Sequence, residues 1–200
     1  MRLALALTLL LASCQSVTNP SKAVTTQDLQ VYNFGGPRRA SNVVLFGKDM
    51  AAGITVVHGQ PEWKADYDGM LDRLKGKTHR LGKDLWTTFM TSATVQLAGV
   101  EIEPGCYCVG LHCDEDGKFA LAMIDANKAM KRGLMPFGPQ TWKADVTVPL
   151  TFEKDASDLV FSKMMIDLGA DAKDKMQGRF QIAWGTHVLS APMQIQAPAN

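Results

Sequence analysis

Hydrophobic and polar residues alternate in short runs along most of the chain. Near the end, Phe180, Ile182 and Trp184 are interleaved with Arg179, Gln181 and Ala183, the period-two pattern of a strand with one buried and one solvated face. Comparable runs lie at 43–46 (VVLF), 54–58 (ITVVH), 85–90, 93–98, 106–112, 119–124, 146–152, 159–168 and 188–195, separated by turn residues. This spacing predicts an all-β fold, an antiparallel β-sandwich with one or two short helices. An earlier strand-like run, LQVYNF at 29–34, is followed by Gly35, Gly36, Pro37 and the pair Arg38 and Arg39. It reads as an edge strand or a loosely attached arm.

Two stretches break the strand pattern. Tyr67, Met70, Leu71 and Leu74 recur at helical offsets and share one side of a short helix over 66–74. The stripe reads as core contact. The segment DANKAMKRG has Asp125 as N-cap and Gly133 as C-terminal stop of a second short helix. Both helices are expected to cover an end or edge of the sheets.

The first residues have a different character. MRLALALTLLLASC carries one basic residue, Arg2, and then an apolar run from Leu3 to Ala12, too short for a bilayer span of about 20 residues. Leu11, Ala12, Ser13 and Cys14 resemble the lipobox of bacterial lipoproteins. That resemblance implies a signal peptide over 1–13, cleavage after Ser13 and lipid attachment at Cys14. Acyl chains anchor a protein by burying methylenes at about 0.8 kcal/mol each, so the expected partner is a membrane reached through the N-terminal lipid. Gln15 is not the aspartate that resembles an inner-membrane retention signal, which favours an outer membrane lipoprotein. Residues 14–39, polar and with Pro20 and Pro37, read as the lipidated N-terminus and tether, and 40–196 as the β domain.

Composition adds exclusions. A hydrophobic content of 46% and a charged fraction of 20% suit one folded domain with a sizeable core. Without Arg2 the chain has 20 basic and 20 acidic residues, and no polybasic or basic–aromatic stretch points to nucleic acid. An envelope glycan or a protein remains as a possible partner.

Three segments carry a family resemblance: GITVVHGQPEW from Gly53, LGKDLWTTFMTSATVQLAGVEIEPGCY from Leu81, and FQIAWGTHVLSAPMQI from Phe180. They resemble the DUF2911 family, exported bacterial domains of unknown function. The shared elements are Gln60 and Pro61, Gly99 through Pro104 and Gly105 to Tyr107, and Trp184 and Gly185 with Leu189 and Ser190. These are turn residues, so the resemblance implies a fold rather than an activity. Many members resemble Trp-Arg-x-Gly-Ala-Asn where this chain has Trp86, Thr87, Thr88, Phe89, Met90 and Thr91.

The densest candidate chemistry is PGCYCVGLHCDED, with Cys106, Cys108, His112 and Cys113 as candidate metal ligands. On a strand, Cys106, Cys108 and His112 share a face and Cys113 turns to the other. At about 3.3 Å per residue, Cys108 and His112 sit ~13 Å apart, too far for ligands about 2.0 to 2.3 Å from one zinc ion. Only a bend at Gly110 would gather them. The odd number of cysteines after Cys14 leaves at least one without an intramolecular disulfide partner. His58, His79 and His187 read as isolated polar loop residues, and the basic stretch Lys75, Lys77, Arg80 and Lys83 as a solvated face. Trp86 and Trp184 fall in strands and read as buried. Trp63, Trp142 and Arg80 are the candidate ligand-binding residues.

No nucleophile elbow, zinc-protease, dinucleotide or phosphate-loop motif occurs. The expectation is therefore a cell-envelope lipoprotein with a ligand- or partner-binding β-sandwich, non-enzymatic and without cofactor. The alternatives are a copper- or zinc-binding lipoprotein using the 106–113 segment, and an envelope-polymer hydrolase using dispersed acidic residues.

Overall fold

Antiparallel pairing organises nearly everything described by the computed structural model, which covers residues 38–45, 52–134, 143–156, 158–174 and 176–196. Cys14, the expected signal peptide, most of the expected tether and Trp142 lie outside the described residues. The strands are β1 (Arg38–Leu45), β2 (Ala52–Gly59), β3 (Lys77–Arg80), β4 (Thr87–Thr91), β5 (Val95–Leu97), β6 (Val100–Ile102), β7 (Gly105–Cys113), β8 (Phe119–Asp125), β9 (Val146–Glu153), β10 (Phe161–Ala170), β11 (Gln177–Gly185) and β12 (His187–Ile195). A 3₁₀ turn, Ala65–Met70, runs into the short helix α1 (Leu71–Leu74), and α2 (Ala126–Lys131) follows β8.

The strands form one curled sheet in the order β1-β2-β4-β7-β8-β9-β12-β11-β10. The expected antiparallel all-β class with two short helices is what forms. Its two packed halves are continuous, because β9 pairs through Val146 to Leu150 with β8 and through Thr151 to Glu153 with β12. Beyond β2 the curl closes. The Met164 N–H donates to the Pro61 carbonyl at 3.0 Å, the Trp63 N–H donates to the Ser162 carbonyl at 2.8 Å, and Glu62 bridges Lys163. Arg39 also reaches Asp167 of β10 at 3.4 Å. Arg38 and Arg39 thus belong to β1, which starts two residues before the expected domain boundary.

Alternation explains the single core. Ile54, Val56, Phe89, Leu121, Val148, Ile166, Phe180, Ile182 and Met193 all face the inside of the curl and are buried, each removing apolar surface from water at about 25 cal/mol per Å². A second, smaller cluster lies on the outer face, where α2 covers Trp86, Cys108 and Ile124 with Ala129. Asp125 caps α2 as expected, its carboxylate accepting the Lys128 N–H at 2.9 Å. Gly133 ends it with φ of 65°.

Two strands were absent from the sequence pattern. β3 is polar throughout, yet pairs along β7 from Lys77 opposite Cys113 to Arg80 opposite Gly110. β6 has only three residues, joined to β5 by Ala98 and Gly99, whose φ values of 48° and 79° fit a type I′ turn.

His58 corrects its reading as a loop residue. It continues the inward series Ile54 and Val56 on β2 and is fully buried. Burial lowers its pKa below the usual 6.5, and Arg39 and Arg38 push the same way, against the Met164 carbonyl and Asp167. The folded form therefore holds His58 neutral while the unfolded chain takes up a proton below its ordinary pKa. Stability should fall as pH drops from about 6.5 towards 5, with a slope of at most about 1.4 kcal/mol per pH unit. Urea denaturation across that window should show this slope in the native chain and a flatter one in His58→Leu. Equal slopes in the two would assign the acid sensitivity elsewhere.

Candidate functional site

A pocket of about 260 Å³ opens between the inner face of the sheet and the segment that leaves β2. The chain after Pro61 crosses the end of the curl, so Trp63, Tyr67, Met70, Leu71 and Leu74 form one wall. Leu111, Phe119, Phe152, Met164, Ile182 and Trp184 from the sheet form the opposite wall. The expected stripe of the first helix is thus both core contact, through Leu71 and Leu74, and pocket wall. The element is a 3₁₀ turn followed by one α-helical turn, and it ends at Gly76 with φ of 66°.

Trp63 is the centre of an aromatic cluster. Its ring stands edge-on to Trp184 at 5.1 Å, His187 at 5.4 Å and Tyr67 at 5.8 Å, the T-shaped arrangement that the aromatic quadrupole favours. Trp184 donates its indole N–H to the Pro61 carbonyl at 3.0 Å, which ties the 61–67 segment to β11. The indole of Trp63 lies directly over Gly185, where a Cβ would come within 2.5 Å of the ring.

His187, read from sequence as an isolated turn residue, is buried as the first residue of β12. The Asp155 N–H donates to its Nδ1 at 3.3 Å, which places the ring proton on Nε2, 2.9 Å from Asp68 Oδ1. The ring therefore latches the 3₁₀ turn to the β9–β10 loop and the β11–β12 hairpin. Both of its nitrogens are engaged within the protein. No sequence signal joins Asp68 to His187, which are 119 residues apart.

His79 is the other polar side chain of the wall. It sits opposite Leu111 in the β3–β7 register, on the pocket face, and its Nε2 is enclosed without a hydrogen-bond partner. The basic stretch is therefore not wholly a solvated face. Arg80 also borders the pocket. However, it stands opposite Gly110, so its side chain is directed to the outer face, the side of Cys108. Lys75 keeps the solvated role, paired with Asp72 at 2.9 Å.

Of the candidate ligand-binding residues, Trp63 is in the pocket, Arg80 borders it with its side chain turned away, and Trp142 lies outside the described residues. Trp86 is buried beneath α2, and Trp184, expected to be buried, is partly buried, packed against the core in the pocket wall.

The cysteine–histidine segment forms the regular strand β7, paired on one side by β4 and β3 and on the other by β8. Cys108 lies in the outer cluster under α2 and Cys113 in the inner core, while His112 Nδ1 meets Thr78 Oγ1 at 2.9 Å. Cys106, Cys108 and Cys113 are free thiols. Burial pushes the Cys108 thiol up to about 11, with Cys106 and Asp125 adding to it, and raises Cys106 and Cys113 as well. Among the described residues no group of three or more histidine, cysteine or acidic side chains is placed to hold a metal ion.

No protein family, curated protein or solved structure matches this chain.

Proposed function

We propose that the chain is a cell-envelope lipoprotein, anchored through Cys14, whose β domain binds a small, largely apolar ligand without transforming it. The observation that carries the binding role is the pocket beneath residues 61–74, walled by Trp63, Tyr67, Phe119, Phe152 and Trp184. Concave, mostly apolar pockets with a few polar groups are the usual form of small-molecule sites, and about 300 to 1,000 Å³ is typical. At about 260 Å³, this one suits a compact aromatic or short acyl compound. The engagement of both His187 nitrogens with Asp68 and Asp155 supports binding rather than acid–base catalysis.

Equilibrium dialysis of naphthalene against the full chain tests the binding role. One saturable equivalent is expected, with affinity reduced roughly tenfold in Trp63→Ala, because an aromatic contact contributes about 0.5–1.5 kcal/mol beyond its buried area. Absence of saturable binding, or an unchanged affinity in Trp63→Ala, would discard the reading. Anchoring has its own check: radiolabelled palmitate should enter the native chain and not Cys14→Ala. Equal labelling of the two would place the acyl chain elsewhere.

A further inference from the structure

Residues 64–75 carry one wall of the pocket, and the fold holds them by little beyond their two ends. At the first end the Trp63 N–H donates to the Ser162 carbonyl at 2.8 Å and its indole lies over Gly185. At the other, Gly76 with φ of 66° leads into β3, whose pairing with β7 begins at Lys77 opposite Cys113. No residue between these anchors is buried. Tyr67, Met70, Leu71 and Leu74 point inward yet stay half-buried, because they have the pocket on one side where a core element has packed neighbours.

The polar contacts of the segment are mostly its own. The Tyr67 N–H donates to the Lys64 carbonyl at 2.9 Å, Lys75 pairs with Asp72 at 2.9 Å, and Lys77 Nζ, just beyond the segment, donates to the Arg73 carbonyl at 3.5 Å. Among the described residues a single polar contact joins it to the sheet, between Asp68 Oδ1 and His187 Nε2 at 2.9 Å. The two partners differ in their access to water. The Asp68 side chain is 60% exposed and that of His187 only 9%, so water solvates the carboxylate when they part, and the cost of parting falls on the imidazole. A segment with few buried apolar contacts, local hydrogen bonds and fixed ends opens at a lower free energy than the whole fold.

We infer that residues 64–75 are the lid of the pocket, and that the contact between Asp68 and His187 is the latch that sets how fast a ligand enters and leaves. This rests on the binding role proposed above and concerns its kinetics. Trp63 stays with the sheet in the open state, since its anchors Ser162 and Gly185 belong to β10 and β11. A bound ligand touches Tyr67, Met70, Leu71 and Leu74 only while the lid is closed, so it favours the closed state through those contacts. Losing the latch speeds opening in the free and the loaded protein alike. Entry and exit then accelerate together, as for other lids that gate a site.

Hydrogen exchange and stopped-flow binding of naphthalene, followed by tryptophan fluorescence, test the lid on the full chain. In Asp68→Ala the amides of 64–75 should exchange about tenfold faster than in the native chain, while those of β7, β11 and β12 keep their rates. Saturating naphthalene should slow the same amides in both proteins. Association and dissociation rates of naphthalene should each rise about tenfold in the variant, with Kd kept within about threefold. Asp68→Asn, whose side-chain carbonyl still accepts from His187, should stay close to native. Asp72→Ala, which loses only the pairing with Lys75 inside the lid, should leave the binding rates unchanged. Native binding rates in Asp68→Ala, or faster exchange spread over the whole sheet, would overturn the latch and leave the pocket reading intact. A rise in the dissociation rate alone also overturns it, because that marks a direct contact with the ligand. If naphthalene does not bind the native chain, the pocket reading and the lid fall together.

Discussion

Gly185→Val should lose about 2–5 kcal/mol of stability and abolish naphthalene binding. Two costs add. Gly185 opens the two-residue connection between β11 and β12 with φ of 64°, a conformation that costs an L-residue about 1–2 kcal/mol. Its Cβ would also lie 2.5 to 2.7 Å from three atoms of the Trp63 indole. Overpacking of this kind typically costs about 1–3 kcal/mol, and relief requires Trp63 to leave its place against Trp184 and His187. Gly99→Ala is the control: φ is 79° there, yet nothing lies within 4 Å of an added Cβ. That variant should lose only the backbone part, about 1 kcal/mol, and bind naphthalene normally. Urea denaturation and dialysis together read both effects. Equal losses in the two variants would show that the Trp63 contact contributes nothing.

Phe180→Ala should be still more damaging, at about 3–5 kcal/mol. Phe180 is 1% exposed and stands between Leu168 of β10 and Ala191 of β12. Its ring lies in the larger core, between the two packed halves of the sheet, where its loss would leave a cavity. The midpoint of urea unfolding should fall without a change in slope, the signature of altered stability rather than altered cooperativity. Its exposed neighbour Arg179, replaced by alanine, should stay within about 0.5 kcal/mol of the native chain. A loss below 1 kcal/mol in Phe180→Ala would contradict its place in the larger core.

Phe180 also shows what the sequence made legible. Its alternation with Arg179 and Gln181 predicts the buried face of β11, and the same reasoning finds β2, β7, β8, β9 and β12 within a residue or two. Local chemistry also predicts the α2 caps and the turn after β7, where Asp114 accepts the Lys118 N–H at 2.8 Å. What escaped lacked a local hydrophobic signal. The strand β3, Lys-Thr-His-Arg, is held by its backbone pairing with β7 and has no apolar face of its own.

The site was less legible than the fold, because its parts are distant in the chain. Trp63 was a candidate, but its partners Trp184 and His187 come from the opposite end and meet it only when the curl closes. His58 was misread despite an available signal, since it shares the parity of Ile54 and Val56 and so had to face inward with them. His79 carried none: in a row of basic residues, only the pairing opposite Leu111 reveals which way it points.

The burial of Cys108 and Cys113 on β7 makes their oxidation a matter of timing. A thiol reacts through its thiolate, and Cys108, with its pKa near 11, and Cys113, almost fully enclosed, offer very little of it at neutral pH. Before β3, β4 and β8 dock, the same residues are near neighbours on an open chain, together with Cys106. A disulfide formed at that moment would staple the segment into a shape that cannot pair on both edges. Once the sheet has closed, Cys108 and Cys113 are out of an oxidant's reach.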